Sequence, residues 1–302
     1  SDMSRETVAP ELTLVYRLRR RPSSVQRILR FAKQKPLGTA GLLVILGLIL
    51  MAIFAPVVAP YDPYALLEGQ RLKPPGGAFP MGTDYIGRDV LSRIIWGSRI
   101  SLYVGFLAVG LGTTAGTILG LVSGFFGGKT DLIIQRIVDS LMAFPGLIFV
   151  MAIVAALGAS TTNAMIAITF LIAPSNSRIV RGAVMTVKQN QYVDAARAIG
   201  CGQTRILFRH VLPNVFAPIM ILASVGLGNA ILTEASLSFL GLGTPPPTPS
   251  WGADLSGPGR QFMELGPWTA IFPGLAISVA VFAFNLFGDA LRDALDPRLR
   301  GS

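Results

Sequence analysis

The sequence predicts an all-α membrane protein with six transmembrane helices. Three observations lead there. Of 302 residues, 51% are hydrophobic and only 14% charged, and the mean hydropathy is +0.57, too apolar for an ordinary soluble domain. The apolar residues stand in long uncharged blocks at 36–61, 100–128, 140–177, 210–233 and 265–288, and a helix needs about 20 such residues to cross a bilayer. Their apolarity is continuous rather than alternating, which selects helices over barrel strands.

Four blocks fit one crossing each. The third is too long for one and is interrupted at 158–163 (GASTTN), so it reads as two. Lys and Arg orient the set. Nine precede Pro36, two separate spans two and three, six lie within 178–213 and three follow span six. Five fall between spans one and two, and one between spans five and six. With both termini in the cytoplasm, twenty are inside and six outside, as the positive-inside rule requires. The formal charge of +10 then follows from topology and anionic lipid, with no call for nucleic acid.

Residues 1–36 form a cytoplasmic tail, in which 25–35 (VQRILRFAKQK) reads as a basic helix on the inner membrane surface. Span one is 37–58, ended by Pro56, Pro60 and Pro63. An outer segment, 59–101, carries MGTDYIGRDVLSRIIWGSRIS; Asp84 is expected to cap an interfacial helix over 85–96. The helical core runs over 102–289. Span two, 102–125, places Gly112, Gly116, Gly120 and Gly124 on one smooth face that admits a neighbouring helix closely. Spans three and four are 141–157 and 164–179, span five 213–232, and span six 268–287, with 290–302 returning to the cytoplasm.

Catalytic and metal-binding sets are not apparent. One His (His210) and one Cys (Cys201) supply no metal-ligand spacing. Gly124-Phe-Phe-Gly-Gly-Lys-Thr130 resembles a phosphate loop, but one residue is missing and it closes an apolar helix rather than following a strand. The distinctive stretch is YVDAARAIGCGQTRILFRHVLPN (192–214). Val193, Ala196 and Ile199 line one side of a first short helix, and Gly200-Cys201-Gly202 breaks it. Thr204 is expected to cap a second helix bearing Ile206, Leu207, His210 and Val211, and Pro213 to start span five. These residues leave lipid contact and partner contact equally open.

Here the chain resembles a family. Asp194, Ala195, Ala196 and Gly200, closed by Leu212 and Pro213, are similar to the EAA loop of ABC-importer permeases, E-A-A-x3-G-x9-I-x-L-P, with Asp in place of Glu and His210 in place of Ile. GTDYIGRDVLSR (82–93), LSFLGLGTPPPTPSWGADL (237–255) and FNLFGDALRDALDPRLRG (284–301) resemble the second permease subunit of dipeptide, oligopeptide, nickel and related importers. The resemblance implies a type I ABC-importer permease fold in the bacterial inner membrane, with a coupling helix in 191–211 between spans four and five. It implies a second, homologous permease subunit, two cytoplasmic ATPase subunits that bind ATP and Mg, and an extracytoplasmic binding protein. The chain itself would hold no cofactor and catalyse nothing. Arg205 and Arg209 would meet either the ATPase or inner-leaflet phosphate. Asp84, Arg88, Asp89 and Trp251 would dock the binding protein or brace the permease partner. Peptides are the implied substrate, with nickel, opines, glutathione and sugars as alternatives. A self-sufficient ion-driven carrier is the competing class, and it would transport without ATP.

Overall fold

The computed structural model describes residues 33–256 and 262–295, so the expected basic helix at 25–35 lies almost wholly outside the described residues. Within them the chain is helical, with two isolated β-bridges in the outer segment. The helices are α1 (Pro36–Ile53), α2 (Ala55–Val58), α3 (Val90–Phe126), α4 (Gly128–Met142), α5 (Gly146–Leu157), α6 (Thr161–Lys188), α7 (Gln191–Ala198), α8 (Gln203–Ile206), α9 (Leu212–Phe239), α10 (Trp251–Asp254) and α11 (Trp268–Leu295).

Four helical runs are long and apolar enough to cross a membrane: α1, α3, α8 through α9, and α11. The pair α4 and α5 makes a fifth, bent by 90°. The expected straight span at 141–157 is therefore corrected. Pro145 occupies the N-cap position of α5, and proline drives the residue before it out of the helical region. The break after α5 falls where GASTTN predicts it, with Ser160 capping α6 by accepting from the Asn163 amide at 3.0 Å. α6 has 28 residues, but Arg178, Arg181 and Lys188 in its second half lower its hydropathy, and it is not among the apolar runs.

α3 is one helix of 37 residues, about 55 Å at 1.5 Å per residue, so it outreaches the roughly 30 Å hydrocarbon layer. The separate interfacial helix expected over 85–96 is thus corrected: its second half is the first turns of α3. Asp84 is not the cap. Gly87, at φ +93°, turns the chain out of any helix begun at Asp84. Asp89 caps instead, accepting from the Ser92 amide at 2.7 Å and the Ser92 hydroxyl at 2.6 Å.

The core centres on α3 and α6. A Cβ on Gly112 would meet the Thr169 carbonyl at 3.2 Å (and Ile172 Cβ at 2.8 Å), on Gly116 the Ala173 carbonyl at 2.6 Å, and on Gly120 the Ser177 carbonyl at 2.6 Å. On Gly124 it would meet the Arg181 carbonyl at 3.0 Å. Each step of four on α3 matches a step of about four on α6, so the two backbones approach along a common line. Asn176 donates to the Thr113 hydroxyl at 3.0 Å across this seam. α1 packs on α11 by the same device, Gly38 against Ala290 and Gly41 against the Ala283 carbonyl.

Candidate functional site

The segment after α6 builds a compact unit on one end of the bundle. α7 ends in a Schellman turn: the Gly200 amide donates to the Arg197 carbonyl at 2.9 Å and the Cys201 amide to the Ala196 carbonyl at 3.0 Å. The turn needs a left-handed residue, and Gly200 supplies it at φ +80°. Gly202, not Thr204, stands at the N-cap of α8, with no side-chain cap bond. Pro213 stands in the first turn of α9, as expected, but α9 does not begin afresh there. α8 runs through a π-helical turn at Leu207–Val211 directly into α9. Pro213 has no amide to give the Arg209 carbonyl and its ring crowds that carbonyl, so the turn widens there; the Leu212 amide reaches back five residues to the Leu207 carbonyl.

The unit has two contrasting faces. Val193, Ala196, Ile206, Leu207 and Val211 are buried against Leu121 and Phe125 of α3 and Val180 and Val184 of α6. This seals the unit to the two helices that carry the glycine seam. On the other face Asp194, Ala195, Arg197, Gly200, Arg205 and Arg209 are exposed. Ile199, expected on the buried side, is corrected: it is 80% exposed, because it already sits at the C-cap and the chain turns away before it can reach the core. Phe208 is also exposed. Leu212 is half-buried and Pro213 exposed. Asp194 and Arg197 pair at 2.9 Å, a surface ion pair worth at most about 1 kcal/mol. A polar cleft of about 550 Å³ lies beside α7, lined by Asp194, Arg197, Lys188 and the α3–α4 turn at Gly127 and Gly128. That turn is the sequence that looked like a phosphate loop. Lys188 is already committed, donating to the Phe125 carbonyl at 2.6 Å.

The opposite end of the bundle corrects a second expectation. Asp84, Arg88, Asp89 and Trp251 do not face outward: their exposures are 7%, 9%, 0% and 0%. Asp84 accepts the Arg88 amide at 2.8 Å and its Nε at 2.6 Å. Trp251 donates to the Ile94 carbonyl at 2.9 Å and lies against Gly97. Charged groups leave water at least cost when paired and bonded: Asp84 and Arg88 pair with each other at 2.6 Å, and Asp89 is bonded through one carboxylate oxygen to Ser92. Within this chain they brace its own outer segment.

Two residues that sequence reasoning passed over organise this end. Arg93 donates through Nε to Asp254 at 2.9 Å, through a second nitrogen to the same carboxylate, and through Nη1 to the carbonyls of Pro63 at 3.2 Å and Pro247 at 3.3 Å. One guanidinium thereby joins the outer segment, the Pro-rich loop and α10 to α3. Glu234, 1% exposed, accepts from Ser101 at 3.1 Å, Ser238 at 2.8 Å and Ser250 at 3.1 Å. A small cavity of about 90 Å³ lies among Asp84, Arg88, Arg93 and Asp254. The only sequence signal was charge in an otherwise apolar setting, at span ends where charge is ordinarily solvated.

A polytopic helical bundle with a buried polar network at one end and a sharply turned polar unit at the other has the form of a transport permease. Residues 116–301 match the family described as binding-protein-dependent transport system inner membrane component, and residues 23–75 match the N-terminal membrane domain of oligopeptide transport permease C. The chain is 44% identical to the dipeptide transport system permease of Alkalihalophilus pseudofirmus, over 89% of this chain and 88% of that one. It is 45% identical to the glutathione transport system permease of Pectobacterium atrosepticum, over 90% of each. It is 41% identical to the di/tripeptide permease of Pseudomonas aeruginosa, over 97% of each. The inward-facing methionine ABC transporter MetNI shares the fold, with a TM-score of 0.55 at 19% identity, over 67% of this chain and 96% of that one.

The chain belongs to the binding-protein-dependent inner-membrane permease family. It is a C-type permease subunit of an ABC importer, and it is non-catalytic, the ATPase being a separate subunit.

Proposed function

We propose that this permease subunit moves short peptides inward, with a second homologous permease subunit completing the pathway. Two cytoplasmic ATPase subunits bind ATP and Mg and drive it, and an extracytoplasmic binding protein delivers the substrate. Both termini lie in the cytoplasm, and α6 is the fourth of six crossings. The named relatives support the substrate class, since dipeptides, di/tripeptides and glutathione all present a short peptide backbone.

The observation that carries the mechanism is the two-faced unit at 191–211. Its buried face holds it to α3 and α6, while Asp194, Ala195, Ile199 and Gly200 are exposed at its tip. An isoleucine left in water forgoes about 1.5–3 kcal/mol of burial, which an ATPase groove would recover. On this reading α7 is the coupling helix, Asp194, Ala195, Ala196 and Gly200 form or shape the contact, and Leu212 and Pro213 relay it into α9. Arg205 and Arg209 flank the contact. The cleft beside α7 leaves it room to tilt as the ATPases close.

The test is ATP-driven uptake of a labelled dipeptide by the complete complex in proteoliposomes with its binding protein. Gly200→Val forces a β-branched residue into a left-handed position at a cost of about 1–2 kcal/mol. It is expected to cut uptake about tenfold while the chain still inserts and pairs with its permease partner. Asp194→Lys is expected to weaken ATPase co-purification. Unchanged ATPase association and uptake in both variants defeats the coupling reading, and uptake by this chain alone without ATP points to an ion-driven carrier.

A further inference from the structure

Arg99 differs from Arg88 and Arg93, the buried arginines at its end of the bundle. Arg88 pairs with Asp84 and Arg93 with Asp254. Arg99 is exposed, and among the described residues its recorded contact is the face of Trp96, 5.1 Å away. It stands where α3 passes from polar to apolar: residues 100–128 contain no charge. A cation at that boundary keeps its head in the headgroup layer, where lipid phosphate is the abundant anion.

Two empty spaces meet at this side chain. Below it, a groove of about 250 Å³ between α1 and α3 is lined by Ile49, Ala52, Ile53, Leu102 and Phe106. Above it, a cavity of about 400 Å³ is lined by Tyr64, Trp96, Thr248 and Pro249. Arg99 and Tyr103, one turn apart, belong to both. The walls are not satisfied by protein: Ile53, Tyr64 and Tyr103 remain 60%, 46% and 51% exposed. The lower space is apolar and opens toward the bilayer. The upper one combines aromatic rings with a guanidinium, the combination that suits a glycerol–phosphate headgroup.

We propose that this is a phospholipid site in the outer leaflet, with the phosphate held by Arg99 and Tyr103 and one acyl chain lying in the α1–α3 groove. The charge argument selects the phosphate: a guanidinium binds it through two parallel N–H···O bonds, and the described residues offer Arg99 no carboxylate. The groove selects a lipid over free phosphate, because its apolar walls continue from the cation into the uncharged length of α3. The bound lipid would fasten α1 to the core at the outer surface, where Ile45 and Ala52 already pack with Leu102. The site depends on the chain being a membrane permease, not on which substrate it moves.

The experiment uses the chain assembled with its permease partner in detergent, supplied with dioleoylphosphatidylglycerol or with dioleoylglycerol, and read by native mass spectrometry. The unaltered assembly is expected to retain one more phosphatidylglycerol than Arg99→Gln, with occupancy in the variant reduced about tenfold. Neither assembly is expected to retain dioleoylglycerol. Ile53→Trp, which fills the groove and leaves the arginine, is expected to lose the lipid as well, and it decides the matter if Arg99→Gln fails to assemble. Equal phosphatidylglycerol retention in all three proteins overturns the site, as does retention of dioleoylglycerol. A photo-crosslinking residue at position 103 that captures the permease partner in membranes, rather than lipid, also overturns it.

Discussion

Arg93→Met is expected to be the most damaging single change at the outer end, lowering stability by about 3–5 kcal/mol, the range for removing one member of a buried ion pair. Asp254 is left without its cation, and the carbonyls of Pro63 and Pro247 lose a donor. The loss should appear as a lower unfolding temperature of the detergent-solubilised chain. Changing both partners should recover much of it: Arg93→Met with Asp254→Leu removes the stranded charge and is expected to be more stable than Arg93→Met alone.

The same pair predicts a pH dependence. Burial raises the Asp254 carboxyl above its ordinary value of 3.8, against the pull of Arg93. An acid whose pKa is raised on folding binds more protons folded than unfolded, so its contribution to stability falls as pH rises through that interval. Without Arg93 the rise is larger. The deficit of Arg93→Met relative to the unaltered chain should therefore shrink as pH is lowered from neutrality toward the raised carboxyl value. A deficit that is constant with pH would mean that the lost carbonyl bonds, not the stranded carboxylate, account for it.

Gly120→Leu is the second change with a large expected effect. The first carbon of any side chain at this position already falls 2.6 Å from the Ser177 carbonyl and 2.8 Å from Val180 Cβ. α3 and α6 must then separate, at about 3 kcal/mol or more, the upper end of overpacking costs. The neighbouring contacts at Gly116 and Gly124 and the Asn176–Thr113 bond would be strained with it. Little folded protein should be recovered after heating. Gly110→Leu serves as the control. Gly110 lies on the same helix, yet an added Cβ there meets nothing within 4 Å, and it should behave like the unaltered chain. Equal sensitivity at both positions would refute close packing as the role of Gly120.

How much of this was readable beforehand depends on how local the determining physics is. The register of Gly112, Gly116, Gly120 and Gly124 is a property of 3.6-residue periodicity, and so visible in spacing alone. The break at Gly200 is equally local, since one residue at φ +80° suffices to turn the chain. Local rules misled where two signals competed. Asp84 reads as a cap, but the left-handed Gly87 after it turns the chain out of any helix begun there, and Asp89 caps α3 instead. Pro213 reads as a helix start, but a π turn let the helix absorb it. Ile199 fits the apolar stripe of α7 by spacing, yet the turn arrives one residue too early for it to be buried.

Taken by itself, the sequence determined the class of the protein, an all-α inner-membrane permease. Long uncharged blocks demand internally bonded helices whatever the packing, and short motifs carried the family resemblance. Only the tertiary structure decided which charges are solvated and which are buried. Arg93 and Asp254 are 161 residues apart, as Ser101 and Glu234 are 133 apart. Pairing over such separations leaves no periodic trace, because it depends on where α3, α9 and α10 converge. The same convergence turned Asp84, Arg88, Asp89 and Trp251 inward, and left Arg99 exposed.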